Sequence, residues 1–397
     1  MAKLWECLLA VPAQWYPPNV PARIEIRTVE KTQNLRDFLD VVQTIYADDP
    51  NYIRPLDLDV WQRLSLRHPY FQHARRRIFV AYKDGKCVGR VVAHRNELHL
   101  ARYKDDLGFF GFLDTIEDPE VMQALMNAVE SWHRASGIKR LRGPITMNMA
   151  EEVGCLVEGF DYPPMLLMGH HRPYQAGLLE GAGYEKAKDT YAWRYVVADG
   201  LTKRVEKAHE EIKNMPEVRF RRVEKKTMDR DIAQMLELYN DAWQDSWGYV
   251  PLTPAEAERI GSEFKFFADL ELTRIVDIDG VPSAFAYALP NLNEAAAGLN
   301  GQLLPFGAAK FLWRLKGRGL DTARLVGLGI AKRLRGVKKY AGLSAFLYAE
   351  LHYAGVLRNY KWGELSFTLE DNAAINVAIR ALGAKIYKRY RVFEKSI

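Results

Sequence analysis

Apolar and polar residues alternate from Arg23 to Thr28, which predicts a half-buried strand. Leu35, Phe38, Leu39, Val42 and Ile45 recur at helical spacing and predict a helix over 34–46. Two β-rich runs, 77–82 and 87–93, flank Asp84 and Gly85, a pair that favours the positive φ of a tight hairpin. A strand is expected over 107–113. Asp118 and Pro119 then have the form of an N-cap and first helical residue. Val121, Leu125, Val129 and Trp132 supply the buried stripe of that helix, and Gly137 ends it. A strand over 139–146, a short helix over 174–182 and a strand over 190–197 follow.

Residues 199–217 are charged and helical in pattern, and Pro216 closes them. The same order then begins again. A strand over 218–223 precedes a helix over 230–243. Asp279 and Gly280 turn a second hairpin between 274–278 and 283–288. A strand over 325–330, a helix over 343–360, a strand over 362–369, a helix over 373–382 and a strand over 384–395 complete it. This repetition predicts an α/β (α+β) chain of two tandem domains, each a mixed sheet flanked by helices. The expected division is an irregular, proline-containing leader over 1–22, a first domain over 23–198, a connector over 199–217 and a second domain over 218–397. The 397 residues, 48% of them hydrophobic, are enough for two cores.

Composition narrows the chemistry. Cys7, Cys87 and Cys155 form no C-x-x-C pair and have no histidine at ligand spacing, so neither a disulfide framework nor a zinc site is expected. His170 and His171 are adjacent and poorly placed to share one ion; no metal is expected. No apolar run reaches the length of a membrane span, and Glu6 interrupts the only candidate signal segment. A cytoplasmic protein is the expectation. The net charge of +6 favours an anionic partner: a nucleotide-bearing cofactor, a nucleic acid or an anionic membrane. The basic stretches are short and carry no nucleic-acid motif, so no nucleic acid is expected.

The densest basic stretch is the loop 332–344, with Lys332, Arg333, Arg335, Lys338 and Lys339 around Gly336 and Gly342. It joins a predicted strand to a predicted helix. Backbone N–H groups at such a helix start, with the surrounding cations, suit a pyrophosphate; a solvated basic loop is the other reading. No P-loop and no G-x-G-x-x-G is present.

The element order resembles that of the GNAT (GCN5-related N-acetyltransferase) fold. The chain is also similar, over roughly 23–397, to a bacterial family of tandem GNAT-like proteins, through 239–251, 303–306, 370–372 and 387–395 in the second half and 142–144 and 157–160 in the first. The resemblance implies acetyl-CoA or a longer acyl-CoA as donor. It gives backbone contacts to the acyl arm to Leu328, Gly329 and Ile330, and phosphate contacts to Arg335, Gly336, Val337, Lys338, Lys339, Tyr340, Ala341, Gly342, Leu343 and Ser344. The family's loop pattern fits either as Lys339-x-x-Gly342-x-Ser344 or from Arg335-Gly336 with residues inserted.

By the same resemblance Glu370 is the candidate base and Asn372 an orienting hydrogen-bonder, although Asn372 also has the form of a helix N-cap. Ile379 stands where many GNAT enzymes carry a tyrosine that protonates the thiolate; Tyr340 is the candidate substitute. Asn240, Trp247 and Tyr249 are expected on a loop over the acyl end. In the first half Glu117 and Asp118 stand where the basic loop would be, which would repel a pyrophosphate. That half is expected to lack the cofactor and to lend Asn148, His170 and His171, with Glu151, Glu152 and Tyr174, to the acceptor. Residues 303–318 are apolar on one side and basic on the other, as an interfacial or an ordinary surface helix is. The expected function is acyl-CoA-dependent N-acyl transfer to a small-molecule or lipid-like amine such as a sphingoid base, with peripheral membrane contact. The alternative is a non-catalytic acyl-CoA-binding protein, which the altered loop and Ile379 motivate.

Overall fold

The computed structural model describes residues 23–30 and 35–397; the expected leader and Cys7 lie outside these. The first half contributes strands β1 (Ile24–Val29), β2 (Ala74–Lys83), β3 (Lys86–Asn96), β4 (Leu107–Thr115), β5 (Arg140–Gly143), β6 (Cys155–Glu158) and β7 (Glu185–Val196). The second contributes β8 (Val218–Arg221), β9 (Thr273–Ile278), β10 (Val281–Pro290), β11 (Thr322–Ile330), β12 (Trp362–Leu369) and β13 (Lys385–Ser396). Both Asp-Gly turns form, with positive φ at Asp84, Gly85, Asp279 and Gly280.

All these strands join one mixed sheet, in the order β1-β2-β3-β4-β5-β13-β7-β12-β11-β10-β9-β8, with β6 pairing β13 off that path. The order carries the repeat. β4 runs parallel to β5, and β11 parallel to β12; the other pairs are antiparallel. The closing strands are exchanged. β13, from the end of the chain, pairs β5 at Phe393↔Gly143. β7, from the first half, pairs β12 at Leu365↔Trp193. The two exchanged strands pair each other at Tyr390↔Thr190. Trp193, Lys388 and Tyr390 are fully buried along this seam.

Helices cover both faces. On one face Pro119–Arg134 buries Val121, Leu125 and Val129 over the first half. Leu343–Leu357 buries Leu343, Phe346 and Leu347 over the second. The connector forms a helix, Lys203–Lys213, that lies along Leu343–Leu357; His209 meets Glu350 at 2.8 Å. On the other face Arg36–Ile45 covers the first half and Met228–Trp243 the second. The helices Asp57–Leu64, Glu97–Tyr103 and Pro254–Phe267 are additions that the hydrophobic pattern did not signal.

Candidate functional site

β11 and β12 pair only from Thr322↔Trp362 to Leu325↔Leu365. Beyond that point β11 stays paired with β10 and β12 with β7, each after a shift of register, at Tyr287/Ala288 in one pair and Leu365/Thr368 in the other. The edge of Val326–Ile330 that faces β12 therefore has no strand partner. Backbone donors and acceptors left this way want a partner. At the far end of the gap Leu343–Leu357 begins at Gly342, with no side-chain cap and no acidic residue in its first turn. Its first N–H groups are open, and the helix dipole favours an anion there.

The first half has the same parallel pair without the same vacancy. After Phe109↔Arg142 the strands stay together, because the Ile145 N–H donates to the Phe110 carbonyl at 2.7 Å. The helix that follows is capped by its own carboxylate: Asp118 accepts from the N–H groups of Glu120 and Val121 and lies 2.5 Å from Lys83.

The expected donor-binding residues divide. Leu328 and Ile330 pack toward the Leu343–Leu357 helix, half-buried beside the gap. Gly329 turns the other way: a Cβ there would lie 2.5 Å from Phe285 and 2.8 Å from Trp243, so only glycine fits. In the loop Arg335 donates to the Ala242 carbonyl and Lys332 pairs with Asp245 at 2.7 Å. Lys339 and the Tyr340 hydroxyl both turn to Glu217. Gly336 has φ +77, and Val337, Lys338 and Ala341 are exposed. Gly342 faces the connector: a Cβ there would lie 3.2 Å from Ile212. Leu343 is buried and Ser344 half-buried in the open first turn. Tyr340, bonded to Glu217, is turned from the gap, and Ile379 is a buried core residue.

An apolar pocket open to solvent begins where the strands part, with about 520 Å³ of empty space counted out to its mouth. Leu325 and Leu365, the last paired residues, line it with Ala323, Gly363, Tyr348, Leu351 and Gly355. It runs under the Leu343–Leu357 helix toward that helix's C-terminal end.

Glu370 and Asn372 take structural positions. Glu370 accepts the Asp189 N–H at 3.0 Å and lies 2.7 Å from the Lys186 ammonium, so each of its oxygens already has a partner. Asn372 accepts from the Ile375 N–H and caps Ala373–Leu382. A polar group that the sequence did not signal lies closer to the parting point, on the sheet face opposite the apolar cavity. Arg324 donates to the Ser366 hydroxyl at 2.8 Å and to the Leu166 carbonyl at 2.7 Å. Buried Glu364 accepts from Ser366 and from Tyr387. Lys388, fully buried, donates to the carbonyls of Tyr162 and Pro163, and burial lowers its pKa to about 8.

The expected acceptor residues fall into two places. Asn240 accepts the Tyr249 hydroxyl at 2.6 Å, and the Tyr249 carbonyl accepts the Tyr103 hydroxyl. Trp247 lies against Arg142, 4.5 Å from its guanidinium, and shares a small hollow with Asn148. Trp247 and Tyr249 thus sit on the loop between Met228–Trp243 and Pro254–Phe267, as expected, and reach the first half, while Asn240 bonds within the second.

His170 and His171 instead line a separate cleft of about 880 Å³. Arg63, Arg90, Asp114 and Glu152 line it too, and it reaches Leu166 and Asn293. His170 bonds Asp49 at 2.9 Å. The His171 Nδ1 accepts the Leu156 N–H, and burial lowers its pKa to about 4. Asp114 receives the Tyr46 hydroxyl at 2.5 Å and the Arg90 guanidinium at 2.8 Å. Among the described residues no group of His, Cys, Asp and Glu could hold a metal ion, and no helix is long and apolar enough to cross a membrane.

No family model matches the chain. Over 373 residues it is 36% identical to Protein YghO of Escherichia coli (strain K12), covering 94% of this chain and 95% of that protein. Over 380 residues it is 35% identical to the bacterial ceramide synthase of Caulobacter vibrioides (strain NA1000 / CB15N), covering 95% and 98%. Its fold matches a tandem GNAT protein from the clavulanic acid biosynthesis pathway, with TM-score 0.57 and 12% identity over 94% of this chain and 98% of that one. It also matches a GCN5-related N-acetyltransferase from Sphaerobacter thermophilus, with TM-score 0.53 and 12% identity over 95% and 96%.

Proposed function

The chain belongs to the family of tandem GNAT-like proteins that includes Protein YghO and the bacterial ceramide synthase, and on that premise we propose that it transfers a long acyl chain from coenzyme A to a lipid-like amine such as a sphingoid base. The observation that carries this reading is the gap between β11 and β12. It has an unpaired backbone edge along it, an uncapped helix at its outer end and an apolar cavity at its inner end. A pantetheine arm has amides for the edge, a pyrophosphate suits the helix start beside exposed Lys338, and an acyl chain suits the cavity.

The acceptor reading comes from the ceramide synthase relative and from the surface. Leu304 and Phe306 are 81% and 80% exposed, and Trp313 is 61% exposed. Lys310, Lys316 and Arg318 are exposed on the same segment, and residues 301–320 contain no acidic residue. Exposed apolar side chains beside unopposed cations fit an anionic bilayer. Helix Asp57–Leu64, which supplies Arg63 to the polar cleft, is joined to this segment by a bond from the Asp57 N–H to the Gly301 carbonyl. A lipid held at that surface would therefore be close to the cleft.

Calorimetric titration with acyl-CoAs of increasing chain length tests the donor reading. Affinity should rise from acetyl-CoA to palmitoyl-CoA as methylenes enter the cavity. Equal affinity for both would remove the chain from that cavity.

A further inference from the structure

We propose that the polar cleft of the first half is the acceptor site, and that His170, oriented by Asp49, is the base that deprotonates the acceptor ammonium. This rests on the acyl-transfer reading above and gives its second substrate a place. The His170 side chain is 1% exposed. Its Nε2 faces the Asp49 carboxylate at 2.9 Å, which puts the ring proton on Nε2 and leaves a lone pair on Nδ1. That Nδ1 is buried and has no partner. A buried acceptor without a donor costs stability, and an ammonium N–H would supply the missing bond. The imidazole stands in the neutral state the role requires, because burial outweighs Asp49 and holds its pKa below the usual histidine range.

The cleft's charge suits the same ligand. Arg63 is bonded to both Glu151 and Glu152 and has Asp59 3.7 Å away, so carboxylates outnumber cations around it. Its position suits the reaction. The cleft ends on Leu166, whose carbonyl is bonded to Arg324, the residue before the point where β11 and β12 part.

The step balances as follows. Nδ1 of His170 takes one proton from the ammonium and passes it to solvent. The free amine forms the new C–N bond at the thioester carbonyl as the C–S bond breaks. A second proton leaves the nitrogen, and the departing thiolate takes it up as free thiol.

The experiment compares wild-type protein with His170→Gln, His170→Ala and Asp49→Asn, using palmitoyl-CoA and sphinganine. The proposal expects palmitoyl-CoA affinity to be unchanged and kcat to fall roughly a hundred- to ten-thousand-fold in His170→Gln. His170→Ala should be partly rescued by added imidazole, which a structural role would not allow. The wild-type rate should rise with pH through the His170 titration, in the field of Asp49, Asp114, Lys388 and Arg172. In the variants that rise should move to alkaline pH, where the amine loses its own proton. Wild-type turnover in His170→Gln, or loss without imidazole rescue, would overturn the base. Sphinganine binding without acyl-CoA, measured in Glu152→Gln, separates the two readings. If wild type binds the amine, the variant does not, and no protein turns over, the acyl-transfer reading fails and the site stands. If binding is equal in both, the site is overturned.

Discussion

Asp118 and Gly342 stand at the same point of the two halves, at the head of the helix that follows β4 or β11, and only Asp118 caps its helix with a carboxylate. One substitution therefore separates fold from ligand. Ser344→Asp places a carboxylate in the open first turn. It should raise the melting temperature by about 1–3 °C, because an anion there is worth roughly 0.3–1 kcal/mol. It should weaken acyl-CoA binding about tenfold or more by calorimetry, because the same charge repels a pyrophosphate. Unchanged affinity would remove the phosphate from this helix.

Gly355 lines the apolar cavity from the helix side, and a Cβ there would have only Val197 near it, at 3.7 Å. Gly355→Leu should fold well, since leucine is better than glycine in a helix by close to 1 kcal/mol. Its side chain would fill the channel. The ratio of kcat/KM for palmitoyl-CoA over acetyl-CoA should fall about tenfold or more; an unchanged ratio would place the chain elsewhere.

Glu370 is an ion-pair partner of Lys186, and Glu370→Gln should leave kcat within about threefold of wild type. Its melting temperature should fall only slightly, because a half-exposed pair contributes about 0–1 kcal/mol. A hundredfold loss of kcat with acyl-CoA affinity intact would restore Glu370 as the base.

Leu304 and Phe306 should carry membrane attachment. Wild-type protein is expected to co-sediment with vesicles rich in phosphatidylglycerol and to stay in solution with phosphatidylcholine alone. Leu304→Ser with Phe306→Ser should release it. Equal sedimentation of the double variant, or none of the wild type, would contradict the docking surface.

Much of the fold was legible because it is local. Both Asp-Gly hairpins, the Asp118 cap and the helix at 343 are written within a few residues. The helix Pro254–Phe267 carries a local signal in its start: Thr253 and Glu256 form a capping box on either side of Pro254. The exchange of β7 and β13 had none. Alternation assigns the faces of a strand but does not name its neighbours.

The site was legible in part for the same reason. The gap, the basic loop and the helix start are contiguous in sequence, and the capping role of Asn372 could be read beside its catalytic one. The ion pair of Glu370 is not legible locally, because Lys186 lies 184 positions away. Asp49 and His170 are 121 positions apart, and Arg90 meets Asp114 only through adjacent strands. Trp247 lies on a loop as its neighbours Gly248 and Pro251 suggest, but nothing local shows that Arg142 receives it.

The central claim is tested most directly by thiol release from palmitoyl-CoA on full-length protein, with and without sphinganine, alongside mass spectrometry of the product. The account predicts release only when the amine is present, one amide formed per thiol, and a rate that rises as pH increases from the acid side. Tight acyl-CoA binding with no amine-dependent release across a panel of simple and lipid amines would contradict it, and would make the protein an acyl-CoA carrier with Ile379 in place of an acid.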